Sequence, residues 1–168
     1  KRLWTTTSLR GLIGLKLRVD VLKEGVHSGG ASGYVPSSFR IARKLLSRIE
    51  NQETGEILLD ELKVKIPSFR IQETKKYVQT VGKELRKEFP WVSKMQPSTE
   101  NSEEAVLRRT WKPALSVVGA EGLPPSANAG NVLRPYTELQ LSIRIPPFVN
   151  QKKAQKAIEK TLIKKPPY

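Results

Sequence analysis

Two segments in which apolar and polar side chains alternate constrain the fold of this chain more than any other feature. They are residues 11–22 and 132–145. The apolar series are Leu15, Leu17, Val19 and Val21 in the first segment, and Leu139, Leu141, Ile143 and Ile145 in the second. A period of two is typical of a strand with one buried face and one solvated face. The two segments therefore predict a sheet that needs a covering layer on one face only.

Two helices are predicted to supply that layer. Residues 36–50 start with Pro36, which is well tolerated in a first helical turn, and continue with apolar residues at helical spacing. Asn150 is a suitable N-cap for a last helix, whose inward residues are Ala154, Ala157, Ile158 and Leu162. With a short strand at 114–118, this order predicts an α+β fold. It would be a two-layer sandwich, an antiparallel sheet with two helices on one face, as in the ferredoxin-like split β-α-β arrangement.

Residues 51–112 are less regular and are predicted to be a helical insertion between the core elements. One helix is expected from about 71 to 89, with Val78, Val81, Leu85 and Phe89 on one face. Residues 93–104 are polar and are expected to form a loop. We expect one domain over residues 1–168, with the last core strand of the sheet following Tyr168.

The formal net charge of +14 first suggests a nucleic-acid partner. The distribution of charge argues against it, because acidic residues are interleaved with Lys and Arg outside the lysine-rich end of the chain. Aromatic residues do not interleave with the lysines, as a base-stacking surface would require. We therefore expect a charged, solvated surface rather than a nucleic-acid interface.

Three features of the sequence bear on the cellular compartment of the protein. No apolar run approaches the roughly 18 residues that span a bilayer, no signal-peptide pattern is visible, and the chain has no cysteine. We expect a cytoplasmic protein without a membrane partner, disulfides or thiolate chemistry.

Motifs for chemistry are scarce. With one histidine and no cysteine we expect no metal site within this chain, and the GxSxG, GxxxxGK[ST] and GxGxxG motifs are missing. His27 lies in a glycine-rich loop after the first strand and either fills space there or reaches a ligand. Arg144 lies on the polar side of the second strand and is either a solvated, ion-paired residue or a carboxylate clamp. Residue patterns alone leave both alternatives open.

Several stretches resemble the lid, or dimerisation, domain of M20-family metallopeptidases, in the carnosine-dipeptidase-like and carboxypeptidase-S-like branch. The matching stretches follow the family order, and they are 6–12 (TTSLRGL), 25–30 (GVHSGG), 113–122 (PALSVVGAEG), 129–135 (AGNVLRP) and 141–147 (LSIRIPP). Together they span most of the chain outside 51–112.

The resemblance implies a division of labour within a larger protein. A separate catalytic domain, outside this chain, would hold two divalent metals, usually zinc, and a glutamate base. The lid would form a homodimer with the lid of a partner subunit. On residue matching, His27 would reach into the partner's active site and polarise the scissile carbonyl. Asn131 would contact the substrate, and Arg144 would bind its carboxylate.

The resemblance therefore implies a dimerisation and substrate-contacting lid of a di-metal peptidase that hydrolyses dipeptides or acylated amino acids. Such a chain would not be catalytic alone. Two other functions remain open at the level of sequence. One is a basic nucleic-acid-binding module, whose affinity would fall steeply with salt. The other is a free-standing protein-interaction domain on the same fold, since fold alone does not determine function.

Overall fold

The computed structural model of the chain describes residues 5, 6 and 8–168. The strands are β1 (Gly11–Asp20), β2 (Val26–His27), β3 (Ala114–Glu121), β4 (Val132–Leu133) and β5 (Tyr136–Ile145). The α-helices are α1 (Ser28–Ala31), α2 (Ser38–Leu46), α3 (Ser68–Val81), α4 (Ser102–Thr110) and α5 (Gln151–Ile163). Short 3-10 helices lie at Asp60–Leu62, Gly82–Glu88 and Ser126–Asn128.

The main sheet is antiparallel and has the order β1-β5-β3, so that β5 is hydrogen-bonded on both edges. In its register Leu141 lies opposite Leu15, and Arg144 lies opposite both Leu12 and Ala114. The odd-numbered side chains of β5, from Thr137 to Ile145, are buried, whereas Arg144 is exposed. The alternation predicted from the sequence therefore assigns the two faces of the sheet correctly.

Helices α2 and α5 cover the inward face of the sheet. Their buried residues join the inward residues of β1 and β5 in one hydrophobic cluster, to which the helices contribute Ile41, Ala42, Leu45, Ala154, Ile158 and Leu162. Burial of each large apolar side chain stabilises the fold by roughly 1.5–3 kcal/mol. The α+β fold, with an antiparallel sheet under two helices, agrees with the prediction.

The element boundaries differ from the sequence-based expectation where proline or glycine intervenes. The predicted strand 132–145 is divided into β4 and β5 by Pro135, which has no N–H for a sheet ladder. Its carbonyl instead accepts hydrogen bonds from the N–H groups of Val21 (2.8 Å) and Leu22 (3.2 Å). The predicted helix 71–89 is replaced by α3, which begins at Ser68, and by a 3-10 segment that begins at Gly82.

Helix α4 lies partly in a segment that was expected to be a loop, and this expectation was wrong for its first turn. The side chain of Asn101 accepts a hydrogen bond from the N–H of Glu104 at 3.0 Å and so caps the helix. The polar composition of residues 93–104 hid a helix start.

The assignment of 51–112 as an insertion, the domain boundaries, and the strand expected after Tyr168 stay predictions. Thr7, within the first matching stretch, lies outside the described residues.

Glu104 connects α4 to the residues that follow it. Its carboxylate accepts hydrogen bonds from Arg108 Nε at 2.7 Å and from Lys112 Nζ at 2.7 and 2.9 Å. Burial disfavours the charged form, but the hydrogen bonds from Lys112 and Arg108 outweigh it and lower the pKa of Glu104 below its ordinary value.

The buried pair of Ser38 and Thr137 yields a first prediction. Their hydroxyl oxygens lie 2.8 Å apart with both residues buried. Thr137→Val is expected to lower the free energy of unfolding by about 1–3 kcal/mol, because the Ser38 hydroxyl loses its partner. The double variant Ser38→Ala/Thr137→Val should lose less. Urea unfolding measures both, with Thr80→Val on the exposed side of α3 as the control. A double variant less stable than the single one would contradict the prediction.

The lowered pKa of Glu104 yields a second prediction. A carboxyl group whose pKa is lower in the folded state than in the unfolded state stabilises the fold at pH values above its unfolded-state pKa. This stabilisation is lost as the pH falls through its folded-state pKa. The Tm of Glu104→Gln should therefore be lower than that of the wild type at pH 7. The two values should converge below about pH 4. Melting curves from pH 7 down to well below about pH 4 test this, and a difference in Tm that stays constant to the lowest pH would refute it.

Candidate functional site

A two-stranded ribbon brings together two of the three residues singled out from the sequence. Strands β2 and β4 are antiparallel, with Val26 opposite Leu133 and His27 opposite Val132. Next to this pair the N–H of Ser28 donates to the carbonyl of Asn131 at 2.8 Å. His27 and Asn131 are therefore neighbours on the ribbon, although more than a hundred residues separate them in sequence, and both are exposed.

The close approach of the two ribbon strands depends on Gly25. A Cβ atom at this position would lie 2.7 Å from Cγ1 of Val132, which is shorter than any normal contact. The glycine before His27 in the GVHSGG stretch is therefore required by packing within the ribbon.

The ring of His27 is oriented by the turn that follows it. Its Nδ1 accepts a hydrogen bond from the N–H of Gly29 at 3.1 Å. The neutral imidazole therefore carries its proton on Nε2. Gly29 also leaves room for the ring, because a Cβ there would lie 3.0 Å from Cε1 of His27. The result is an exposed N–H donor whose ring is held by the backbone.

Arg144 lies elsewhere. The ribbon meets the main sheet at Pro135, through the hydrogen bonds that its carbonyl accepts. From Tyr136, the first residue of β5, to Arg144 the strand covers about 27 Å at roughly 3.4 Å per residue. Arg144 is exposed on the face not covered by helices, and among the described residues it has no carboxylate within ion-pair distance. The structure therefore brings His27 and Asn131 together but not Arg144.

Arg10 lies near Arg144 and is not among the residues that the sequence pointed to. Its Nη1 donates to the carbonyls of Arg108 at 3.1 Å and Lys112 at 3.2 Å, at the end of α4. Burial, followed by the positive charges of Arg144 and Arg109, lowers the pKa of its guanidinium. The sequence feature that could have identified Arg10 is its spacing, because it precedes Leu12 and Gly14 in the series of residues on the open face.

A cavity of about 600 Å³ lies beside Arg10. Its lining includes Ile57, Trp111 and Leu115 on the apolar side and Arg108 and Lys112 on the charged side. Residues of the 51–112 segment therefore border the Arg144 end of the sheet.

The described residues contain neither a cluster of metal ligands nor a membrane-spanning helix. No group of three or more His, Cys, Asp or Glu side chains there could hold a metal ion, so these residues do not fit the metal pair of a metallopeptidase. Nor does any helix in the same residues have the length and apolar character needed to cross a bilayer.

Comparisons with known proteins identify relatives of the fold. A curated relative, the cysteinylglycine-S-conjugate dipeptidase of Corynebacterium striatum, is 25% identical over 165 residues, which are 97% of this chain and 34% of the relative. The chain therefore spans about a third of that protein's length.

Solved structures of similar fold include human carnosine dipeptidase 1, with a TM-score of 0.72 and 20% identity over 92% of this chain and 32% of that one. The di-peptidase Dug1p from Saccharomyces cerevisiae has a TM-score of 0.68 and 20% identity, with the same coverage of both chains. A M20 family metallo-carboxypeptidase from Sulfolobus solfataricus has a TM-score of 0.70 and 19% identity over 92% of this chain and 40% of that one.

The family model of the peptidase dimerisation domain matches residues 7–168. The match includes the ribbon with His27 and Asn131, the open sheet face with Arg144, and the segment between them. Because it covers nearly the whole length of the chain, the chain belongs to the dimerisation domain family of the M20 peptidases.

Proposed function

We propose that this chain is the dimerisation and substrate-contacting lid of a di-metal M20-type peptidase that hydrolyses dipeptides or acylated amino acids. The observation that carries the proposal is the distribution of its three candidate residues. An oriented histidine donor and an asparagine share one ribbon, and an unpaired arginine lies near the far end of β5. The dipeptidase names among the relatives support the substrate class.

The chemistry of amide hydrolysis gives His27 and Asn131 on the ribbon a role. Attack on a peptide carbonyl builds negative charge on its oxygen, and a preorganised N–H donor stabilises that charge. His27 carries such a donor on Nε2 because its Nδ1 already accepts the Gly29 N–H. The amide of Asn131, beside it on the ribbon, supplies further donors and acceptors to the substrate.

Arg144 is suited to hold the other end of the substrate. A guanidinium presents a planar fork of donors that matches a carboxylate with two parallel hydrogen bonds. No carboxylate within the described residues occupies this fork, which leaves it free for the carboxylate of a dipeptide or acylated amino acid.

The separation of the groups supports a homodimer with shared active sites. A dipeptide is a few ångströms long, whereas β5 alone separates Arg144 from the ribbon by about 27 Å. We infer that each active site takes Arg144 from one subunit and the His27–Asn131 ribbon from its partner. A closed dimer with a two-fold axis produces two such sites.

The catalytic centre belongs to the rest of the protein in this proposal. The M20 family implies divalent metals in a catalytic domain, and we assign two of them, as zinc, to the two thirds of the relatives' length that this chain does not cover. The lid would not hydrolyse peptides alone. A cytoplasmic location stays part of the proposal.

The role of His27 can be tested in the full-length protein with its metals. His27→Ala should lower kcat for dipeptides about 10²-fold or more, as expected for loss of a transition-state donor. His27→Gln, which keeps an N–H donor, should lose less, and Lys23→Ala, exposed in the preceding connection, should change little. Turnover by His27→Ala equal to that of the wild type would refute the role.

Sharing of active sites can be tested by mixing inactive variants. When His27→Ala and Arg144→Ala subunits are dissociated and reassembled in equal amounts, about one quarter of the active sites should be restored. Half of the dimers are mixed, and each mixed dimer has one intact site. A mixture of His27→Ala and Asn131→Ala is the matched control and should stay inactive, because both residues lie on one ribbon. Failure of the first mixture to regain activity would contradict the shared site.

A further inference from the structure

We propose that Arg10 and Arg144 form one anion subsite that holds the free carboxylate of the substrate, so that Arg10 is a second specificity-determining residue. The inference rests on the proposed function, in which Arg144 binds that carboxylate. It concerns a residue of the TTSLRGL stretch that the lid function leaves without a role.

The strand register brings the two arginines to the same face of the sheet. Leu12 lies opposite Arg144, and Gly11 lies opposite Ile145. Arg10 immediately precedes β1 and is two residues before Leu12, and the strand's alternation extended by one residue puts it on the same face as Leu12. It is therefore the diagonal neighbour of Arg144, at a Cα separation of roughly 7–8 Å, within reach of two long side chains.

The guanidinium of Arg10 is held in place by the end of α4. Both of its hydrogen bonds to the end of α4 come from Nη1, which donates to the carbonyls of Arg108 and Lys112. The last carbonyls of a helix form the negative end of its dipole, which favours a cation there. The Nε and Nη2 donors have no protein partner among the described residues and stay available to a ligand.

The charges of the two arginines are not compensated within the described residues. Other arginines nearby are paired, Arg108 with Glu104 at 2.7 Å and Arg109 with Glu88 at 2.8 Å. Arg10 and Arg144 have no such partner, although Arg10 is partly buried. Desolvation and the charge of Arg144 lower the pKa of Arg10, which indicates that the two cations repel each other. A carboxylate bound between them would remove this repulsion.

If Arg10 only held α4 to the sheet, its loss would lower stability and would affect all substrates equally. Arg48 is a matched control for this structural role. The Arg48 guanidinium similarly donates to carbonyls at the end of a helix, those of Thr161, Leu162, Lys164 and Lys165. Arg18 is a second control, since it lies on the open face of β1 but is paired with Asp20 and Glu138.

The experiment uses the full-length, metal-loaded protein and compares a dipeptide with its C-terminal amide. Arg10→Gln should raise KM for the free dipeptide about tenfold or more, with a smaller change in kcat and little change for the amide. Arg10→Lys, which keeps the charge, should recover part of the loss. Arg48→Gln should lower Tm, and Arg18→Gln should change little, with neither altering the preference for the free dipeptide.

The outcomes separate this inference from the function on which it rests. If Arg144→Gln raises KM equally for the free dipeptide and for the amide, the proposed carboxylate site itself is wrong. If Arg144→Gln raises KM selectively for the free dipeptide but Arg10→Gln affects both substrates equally, Arg10 is structural and only this inference falls. Should Arg10→Gln fail to fold, Arg10→Lys decides alone: a KM for the free dipeptide equal to that of the wild type, with competition by acetate also unchanged, would overturn it.

Discussion

The pairing of β5 with β1 on one edge and β3 on the other supports the rest of the domain. Its inward side chains form the centre of the hydrophobic core under α2 and α5. A shift of one residue in this register would expose the apolar series and bury Arg144. The packing that stabilises the core therefore also holds Arg144 on the open face, and no further contact is needed to keep it there.

The ribbon of β2 and β4 is attached to this frame through the carbonyl of Pro135, which accepts hydrogen bonds from the chain that leaves β1. Pro135 separates β4 from β5, and Gly25 lets β2 approach β4, so that His27 and Asn131 lie on a ribbon separate from the main sheet. A rigid scaffold thus presents two small groups of polar side chains near its two ends. In the proposed homodimer, each group complements the other group of the partner subunit.

The large positive charge of the chain is also clarified by the structure. Several cations have structural partners, such as Lys112 and Arg108 with Glu104, and Arg48 with the carbonyls at the end of α5. The Arg48 contacts join the residues after α2 to the end of the last helix, whereas the Glu104 contacts lie within the 51–112 segment. Arg10 and Arg144 differ in that two cations lie close together, and no carboxylate of the described residues compensates either of them. This pair is suited to a small anionic ligand, in keeping with membership of a peptidase family.

Much of this structure could be predicted from sequence because local patterns control it. Alternation over 11–22 and 132–145 identified the sheet and its faces, and Asn150 identified the start of α5 through its side-chain cap. Motif resemblance singled out His27, Asn131 and Arg144. Helix α4 was not predicted: its first turn falls in the polar stretch 93–104, which was expected to be a loop, and no helix was assigned to the residues that follow. The spacing of Asn101 and Glu104 was the signal for its start.

The sequence by itself thus determined the α+β class, the buried face of each main strand and the family, since each depends on the order of residues along the chain. Only the tertiary structure decided that His27 and Asn131 are neighbours while Arg144 lies apart, and that Arg10 stands beside Arg144. These relations depend on strand pairing between segments more than a hundred residues apart, as in Leu12 with Arg144. Hydrogen bonds between backbones carry no residue-specific signal, so no local pattern could have revealed those partners.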